Sequence, residues 1–300
     1  MSTGPYRLIV AEPTAAGRAA FARIALPYLA KREALNNLQL GVLDGVATGR
    51  YDDAVLIAAE DPNGDLAALL IRTPPHPLLL PAGCRDDART FLLAWWLEHH
   101  PDLTGMVGPL PETGAAARWW EAHGGRRLAL RLHEGVYRLR RVRPAPRAAG
   151  RLRLAEPRDR EHVSHWLGAF EEEAFGERRS DPEALWWSFQ AGGTRRLHVW
   201  EDASGALVCI AGRAGRTPNG ARIGPVYTPP ALRGRGYAEA LVAAAAQREL
   251  DEGARMCFLY TDLSNGTSNA LYERVGFERI GEAGEFRVVE DASAAPQGRG

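Results

Sequence analysis

The chain has 300 residues, 45% hydrophobic and 25% charged, with 37 basic side chains against 37 acidic ones. That length suits two domains of roughly 150 residues each, and the charge balance leaves no overall field to recruit nucleic acid or an anionic membrane. No run approaches the ~18 apolar residues of a spanning helix, the start MSTGPYRLIV has no signal-peptide pattern, and the three cysteines show no C-x-x-C spacing, so the expectation is a cytoplasmic protein without structural disulfides or a metal site.

In chain order, RLIVAEP (Arg7 to Pro13) reads as a strand closed by Glu-Pro, with helical composition following from 14 to 49. Strands are expected near 54–60 and 65–73, a helix at 86–99 and a strand near 103–108. Ala117 to Leu139 reads as a short helix, a glycine stop and two strands. The segment RVRPAPRAAGR (141–151) is rich in Pro, Ala and Arg without apolar periodicity, and is the best linker in the chain.

RLRLAEP (Arg151 to Pro157) then repeats the opening strand. Helices are expected at 159–175 and 182–191, strands at 195–202, 206–215 and 221–228, and a helix from 236 to 252. A strand at 255–262, a helix at 266–275 and two last strands follow, before a tail at 291–300 that reads as disordered. The halves rhyme at both ends. The expected fold is therefore α/β with mixed sheets, in two tandem domains, 1–146 and 147–290. Cys209 and Cys257 read as buried small hydrophobes, and the pairs Trp95–Trp96, Trp119–Trp120 and Trp186–Trp187 as core.

The informative stretch is GPVYTPPALRGRGYAEA, from Gly224 to Ala240. Pro229 and Pro230 end a strand because neither can donate to a ladder. Gly234 and Gly236 then open a helix that starts at Tyr237, which exposes unpaired backbone N–H groups. Arg233 and Arg235 add positive charge, so the turn favours a phosphate or pyrophosphate. A plain helix cap is the alternative reading. The P-loop requires a lysine that is missing, and the dinucleotide fingerprint needs Gly or Ala where Glu239 stands.

The pattern that fits is R-x-x-G-x-A, met by Arg233, Gly236 and Ala238. Here the sequence resembles the GNAT family of acetyl-CoA-dependent N-acetyltransferases. A second family signature, N-x-x-A-x-x-L-Y-x-x-x-G-F, is matched in NGTSNALYERVGF from Asn265 to Phe277, with Ser268 in place of the alanine. The resemblance covers residues 151–290 and implies two tandem GNAT-like domains, the first a degenerate copy. It implies acetyl-CoA along Val226, Tyr227 and Thr228, at the turn Arg233, Gly234, Arg235, Gly236, Tyr237 and Ala238, and near Asn265 and Asn269. It casts Tyr272 as the general acid, which suits a phenol protonated at neutral pH.

No carboxylate stands on the strand before the turn. Asp262 and Glu171, Glu172 or Glu173 are candidate bases, and the three glutamates read otherwise as a solvated helix face. His162 and His165 have no third ligand nearby, so no metal is expected. In the first half the R-x-x-G-x-A pattern is missing, Asp86 and Asp87 open the matching helix, and the repeat places Trp120 where Tyr272 stands. That domain is expected to be non-catalytic. The leading expectation is acetyl transfer to a primary amine of a small molecule. A non-catalytic acyl-CoA-binding or regulatory protein is the rival, and a protein N-terminus the alternative acceptor.

Overall fold

A computed structural model describes residues 5–144, 148–190 and 193–289. The first stretch runs β1 (Arg7–Val10), α1 (Ala15–Ala30), α2 (Asn37–Ala47), β2 (Val55–Glu60), β3 (Leu66–Arg72), β4 (Leu78–Leu79), α3 (Asp86–His99), β5 (Gly105–Pro109), α4 (Leu110–Ala122) and β6 (Leu128–Leu139). The second runs β7 (Arg151–Leu154), α5 (Arg160–Phe175), α6 (Pro182–Gln190), β8 (Arg196–Glu201), β9 (Leu207–Arg216), β10 (Gly220–Tyr227), α7 (Tyr237–Asp251), β11 (Met256–Asp262), α8 (Gly266–Val275) and β12 (Glu278–Val288). No helix among the described residues is long and apolar enough to cross a membrane. The expected boundary near 147 and the tail at 291–300 fall outside the described residues.

Contacts divide the chain into two compact units. One comprises the described parts of Met1–Arg32, Val42–His133 and Ala283–Gly300; the other comprises Glu33–Gly41 and the described parts of Glu134–Glu282. Each unit has the same strand order. In the first it is β1-β2-β3-β4-β5-β12, antiparallel except for the parallel β4/β5 pair. In the second it is β7-β8-β9-β10-β11-β6, antiparallel except for β10/β11.

The sequence repeat is thus a structural one. Arg7 stands opposite Glu60 and Arg151 opposite Glu201, and both pairs are ion-paired.

The last strand of each unit comes from the other half of the chain. β12 pairs with β5 through Ala283↔Pro109 to Arg287↔Gly105, and β6 pairs with β11 through Glu134↔Asp262 to Leu139↔Cys257. This corrects the expectation of two short strands at the end of each half. β6 and β12 are each one unbroken strand, with Gly135 paired to Thr261 and Gly284 to Gly108 in ladders where turns were expected.

In the first unit α3 and α4 close a core around Trp96, Trp120, Leu92 and Met106. In the second, Trp166, Leu167, Trp186 and Phe189 of α5 and α6 pack on one sheet face with Val199, Ile210 and Tyr227. α7 and α8 cover the other face through Leu241, Val242, Tyr272 and Val275. Each such large side chain contributes about 1.5–3 kcal/mol on burial. Cys209 and Cys257 are buried as expected. Trp187 corrects the core expectation: it is 55% exposed, under the Arg160 guanidinium.

Candidate functional site

The site begins with a defect in the sheet. β9 and β10 are in register at Ile223↔Arg213 and again at Val226↔Ala211, so two residues of β10 bulge against one of β9. The bulge is possible because Gly212 lies beneath it. A Cβ there would sit 2.4 Å from the Gly224 carbonyl oxygen. Bulges bend a strand and end its pairing. The parallel ladder of β10 with β11 accordingly holds only from Gly220↔Met256 to Arg222↔Phe258, although the strands run on to Tyr227 and Asp262. Beyond Arg222 these two edges part, leaving Val226 and Thr228 half-buried along the opening. Thr228 Oγ1 lies 3.0 Å from Cys209 Sγ.

Past Pro229 the chain makes one 3-10 turn, Pro230–Leu232, and enters the glycine segment. Gly234 and Gly236 have φ of 76° and 78°, the left-handed region that other residues resist. Nothing lies within 4 Å of where their Cβ atoms would be, so the turn is an open cradle. The first backbone bond of α7 runs from Ala240 N–H to the Gly236 carbonyl. The N–H groups of Tyr237, Ala238 and Glu239 are therefore left without helical partners, and no side chain among the described residues caps them. This geometry fits a phosphate.

The two arginines of the turn differ. Arg233 donates from Nε to the Thr228 carbonyl at 2.8 Å and from Nη2 to Glu173 at 2.6 Å, and lies 5.7 Å over the Tyr227 ring. It ties the turn to the end of β10 and to α5. Arg235 is exposed and makes one 3.3 Å contact to the Ala231 carbonyl, which leaves its charge beside the cradle.

Helix α8 starts at Asn265, whose Oδ1 accepts from Ser268 N–H at 3.0 Å. Asn269 donates to the Asp262 and Leu263 carbonyls at 3.2 Å, fastening the β11–α8 loop, while its buried Oδ1 has no partner among the described residues. One turn on, Tyr272 is 8% exposed and packs edge-on to Phe277. Its hydroxyl makes no hydrogen bond with another described residue. Burial, and then the nearby Cys209 thiol, push its pKa above the ordinary phenol range, so it holds its proton firmly.

The glutamates of α5 prove to have separate duties. Glu171 is buried and accepts the backbone N–H groups of Arg179 and Ser180, both at 2.9 Å. Glu172 is exposed and paired with Arg178. Glu173 holds Arg233 and lies 3.2 Å from the Tyr227 hydroxyl. Glu172 and Glu173 are exposed, as the expected solvated face requires, and Glu171 is not. Asp262 ends β11 and accepts Ser264 N–H at 2.7 Å.

Sequence reasoning missed the bulge and the Arg233–Glu173 pair. Gly212 in the interior of a strand was the available signal for the first; the second joins residues 60 apart and has no local signature.

In the first unit the matching turn is filled by the protein itself. Gly83 N–H donates to the Glu112 carboxylate at 3.0 Å, and a Cβ on Gly83 would fall on the Arg32 guanidinium. Asp86 and Asp87 open the helix that follows, Asp87 accepting the Tyr6 hydroxyl at 2.6 Å. Trp120 is fully buried and its Nε1 has no partner among the described residues.

Residues 160–277 match the model of the acetyltransferase (GNAT) family. The mycothiol acetyltransferases of Salinispora tropica and Salinispora arenicola are 36% and 35% identical over 128 residues. That match covers 38% of this chain and spans 40% of the length of those curated relatives. Among solved structures, a GCN5-related N-acetyltransferase from Sphaerobacter thermophilus aligns over 93% of this chain and 95% of its own, at TM-score 0.57 and 20% identity. A tandem GNAT protein from the clavulanic acid biosynthesis pathway aligns over 94% and 97%, at TM-score 0.57 and 16% identity. At those identities the likeness is one of fold.

Proposed function

The chain is a member of the acetyltransferase (GNAT) family through residues 160–277, and we propose that its second unit transfers an acetyl group from acetyl-CoA to a primary amine of a small molecule in the cytoplasm. The observation that carries this reading is the opening between β10 and β11 leading straight into the glycine cradle at the head of α7. Acetyl-CoA supplies an activated thioester. The cradle N–H groups and Arg235 hold its pyrophosphate, and the strand edge at Val226 to Thr228 lies along its arm. A main-chain N–H of that edge stabilises negative charge on the carbonyl oxygen as the amine attacks. Tyr272 donates its proton to the sulfur as the C–S bond breaks. The amine gives up its own proton to water or to Asp262, because Glu171 to Glu173 are engaged elsewhere.

The first unit binds no acetyl-CoA in this reading, since Glu112 already occupies the anion position of its turn. Amines related to mycothiol are the first acceptors to test, after the named relatives. The second reading, a non-catalytic acyl-CoA-binding protein, draws on one observation: Glu171, Glu172 and Glu173, the candidate bases of α5, are each already engaged with another group.

Calorimetric titration of acetyl-CoA into the wild type and Gly236→Asp tests the proposal. Binding that the variant abolishes is expected, since the aspartate brings both a strained φ and a negative charge into the cradle. No binding to the wild type would remove the enzyme reading. Binding without turnover across an amine panel would favour the second. Product mass spectrometry separates a small-molecule acceptor from a protein N-terminus.

A further inference from the structure

Helix α8 carries Tyr272 and Asn269, yet it is ten residues long and buries only Tyr272 and Val275. Its C-terminal end is held by Arg143, which donates from its backbone to the Val275 carbonyl at 2.8 Å and from Nη1 to the Glu273 carbonyl at 3.2 Å. Toward α7 it is held by an ion pair. Glu239, in the first turn of α7, accepts on Oε2 from both Nε and Nη2 of Arg274, each at 2.8 Å.

The Glu239 side chain is 9% exposed and that of Arg274 56%. The other oxygen of Glu239, Oε1, is buried with no partner among the described residues. An unsatisfied buried acceptor is destabilising, so this position is a poor choice for stability alone. Nor does it serve affinity: a carboxylate three residues after Gly236 opposes an anion on the same helix end, even as that helix end favours the carboxylate.

We propose that Glu239 is a positioning residue. By gripping Arg274 it fixes α8 against the first turn of α7, so that the Tyr272 hydroxyl stays at a set distance from the cradle that holds the phosphates. The proposal rests on the acetyltransferase reading. It separates two roles on one helix end, with backbone N–H groups binding the cofactor and a buried side chain aligning the proton donor.

The test is steady-state kinetics with calorimetric acetyl-CoA binding on the full chain, comparing Glu239→Ala, Glu239→Gln, Arg274→Ala, Arg274→Lys and the double alanine variant. Misplacing a catalytic group by about 1 Å costs on the order of 100-fold. We therefore expect each alanine variant to lose roughly 10- to 100-fold in kcat, with acetyl-CoA affinity unchanged or tighter. The double variant is expected to lose no more than either single one, since both changes remove one contact. Arg274→Lys should recover part of kcat, and Glu239→Gln, which keeps shape and one acceptor, should show a smaller loss in the same direction if the alanine variants unfold.

Folded variants with wild-type kcat would overturn the proposal and leave the acetyltransferase reading in place. So would a loss that appears wholly as weaker acetyl-CoA binding, or single losses that multiply in the double variant. A wild type that neither binds nor turns over acetyl-CoA would overturn both.

Discussion

Tyr272 is the residue on which the chemistry turns. Its hydroxyl has no hydrogen-bond partner among the described residues, and its pKa is raised, first by burial and then by Cys209. A raised pKa keeps the phenol protonated across neutral and moderately alkaline pH, so kcat should show no falling limb near pH 10, the ordinary phenol value. Tyr272→Phe keeps the ring that packs on Phe277 and removes only the hydroxyl. We expect it to lose roughly 100- to 10,000-fold in kcat while acetyl-CoA affinity is retained; wild-type turnover in that variant would take Tyr272 out of the mechanism.

Glu173 poses the opposite case. Its carboxylate is already committed to Arg233 and Tyr227, and both partners of the ion pair are about half exposed, at 47% and 46%. Such a pair is worth about 0–1 kcal/mol. Glu173→Gln should therefore shift Tm little and change kcat by less than about tenfold, where loss of a general base would cost about 100-fold or more. A collapse of kcat would identify Glu173 as the base.

At the scale of elements, most of the second unit was legible in the sequence. The helices at 237–251 and 266–275 and the strand at 256–262 lie within a residue or two of their expected bounds, because alanine-rich runs, a double proline and glycine stops are local signals. What was not legible is pairwise. Glu171 reads as a surface acid but turns inward to two N–H groups of the following loop. Arg233 reads as a charge at the turn, and its bonds to the Thr228 carbonyl and Glu173 have no local signature.

The helix-to-sheet packing of this unit also sets a pH dependence. His198 on β8 is fully buried, and its pKa is lowered to about 4, mainly by burial and then by Arg248, Arg213 and Arg196. An unfolded histidine titrates near 6.5. Between those values the unfolded chain takes up a proton that the folded one refuses, so stability present above pH 6.5 is lost as pH falls toward 4. The loss amounts to about 3 kcal/mol at its limit. Denaturant unfolding of the wild type and His198→Leu at pH 7 and pH 5 checks it: the gap in stability between the two pH values should shrink in the variant.

For the whole molecule, the decisive feature is that each half of the chain supplies the other unit's last strand. The tandem repeat was visible in RLIVAEP and RLRLAEP, but the exchange was not, since strand partners lie far apart in sequence and hydrophobic period does not name them. The linear boundary near 147 would cut the second unit away from β6. β11 is paired to β10 at only three positions and to β6 at six, so a fragment beginning at 147 loses most of the ladder on the strand that carries Asp262 into the site. It also leaves an apolar edge open to pairing with other chains. We expect residues 147–289 alone to unfold without cooperativity or to aggregate, and a fragment beginning at 128 to regain a denaturant transition. A sharp transition and full acetyl-CoA binding in the shorter fragment would show that the exchanged strand is dispensable. Equal failure of both would place the missing support in Glu33–Gly41, the other segment of the first half that this unit includes, where Glu33 accepts Thr217 and Asn219 at 2.5–2.7 Å.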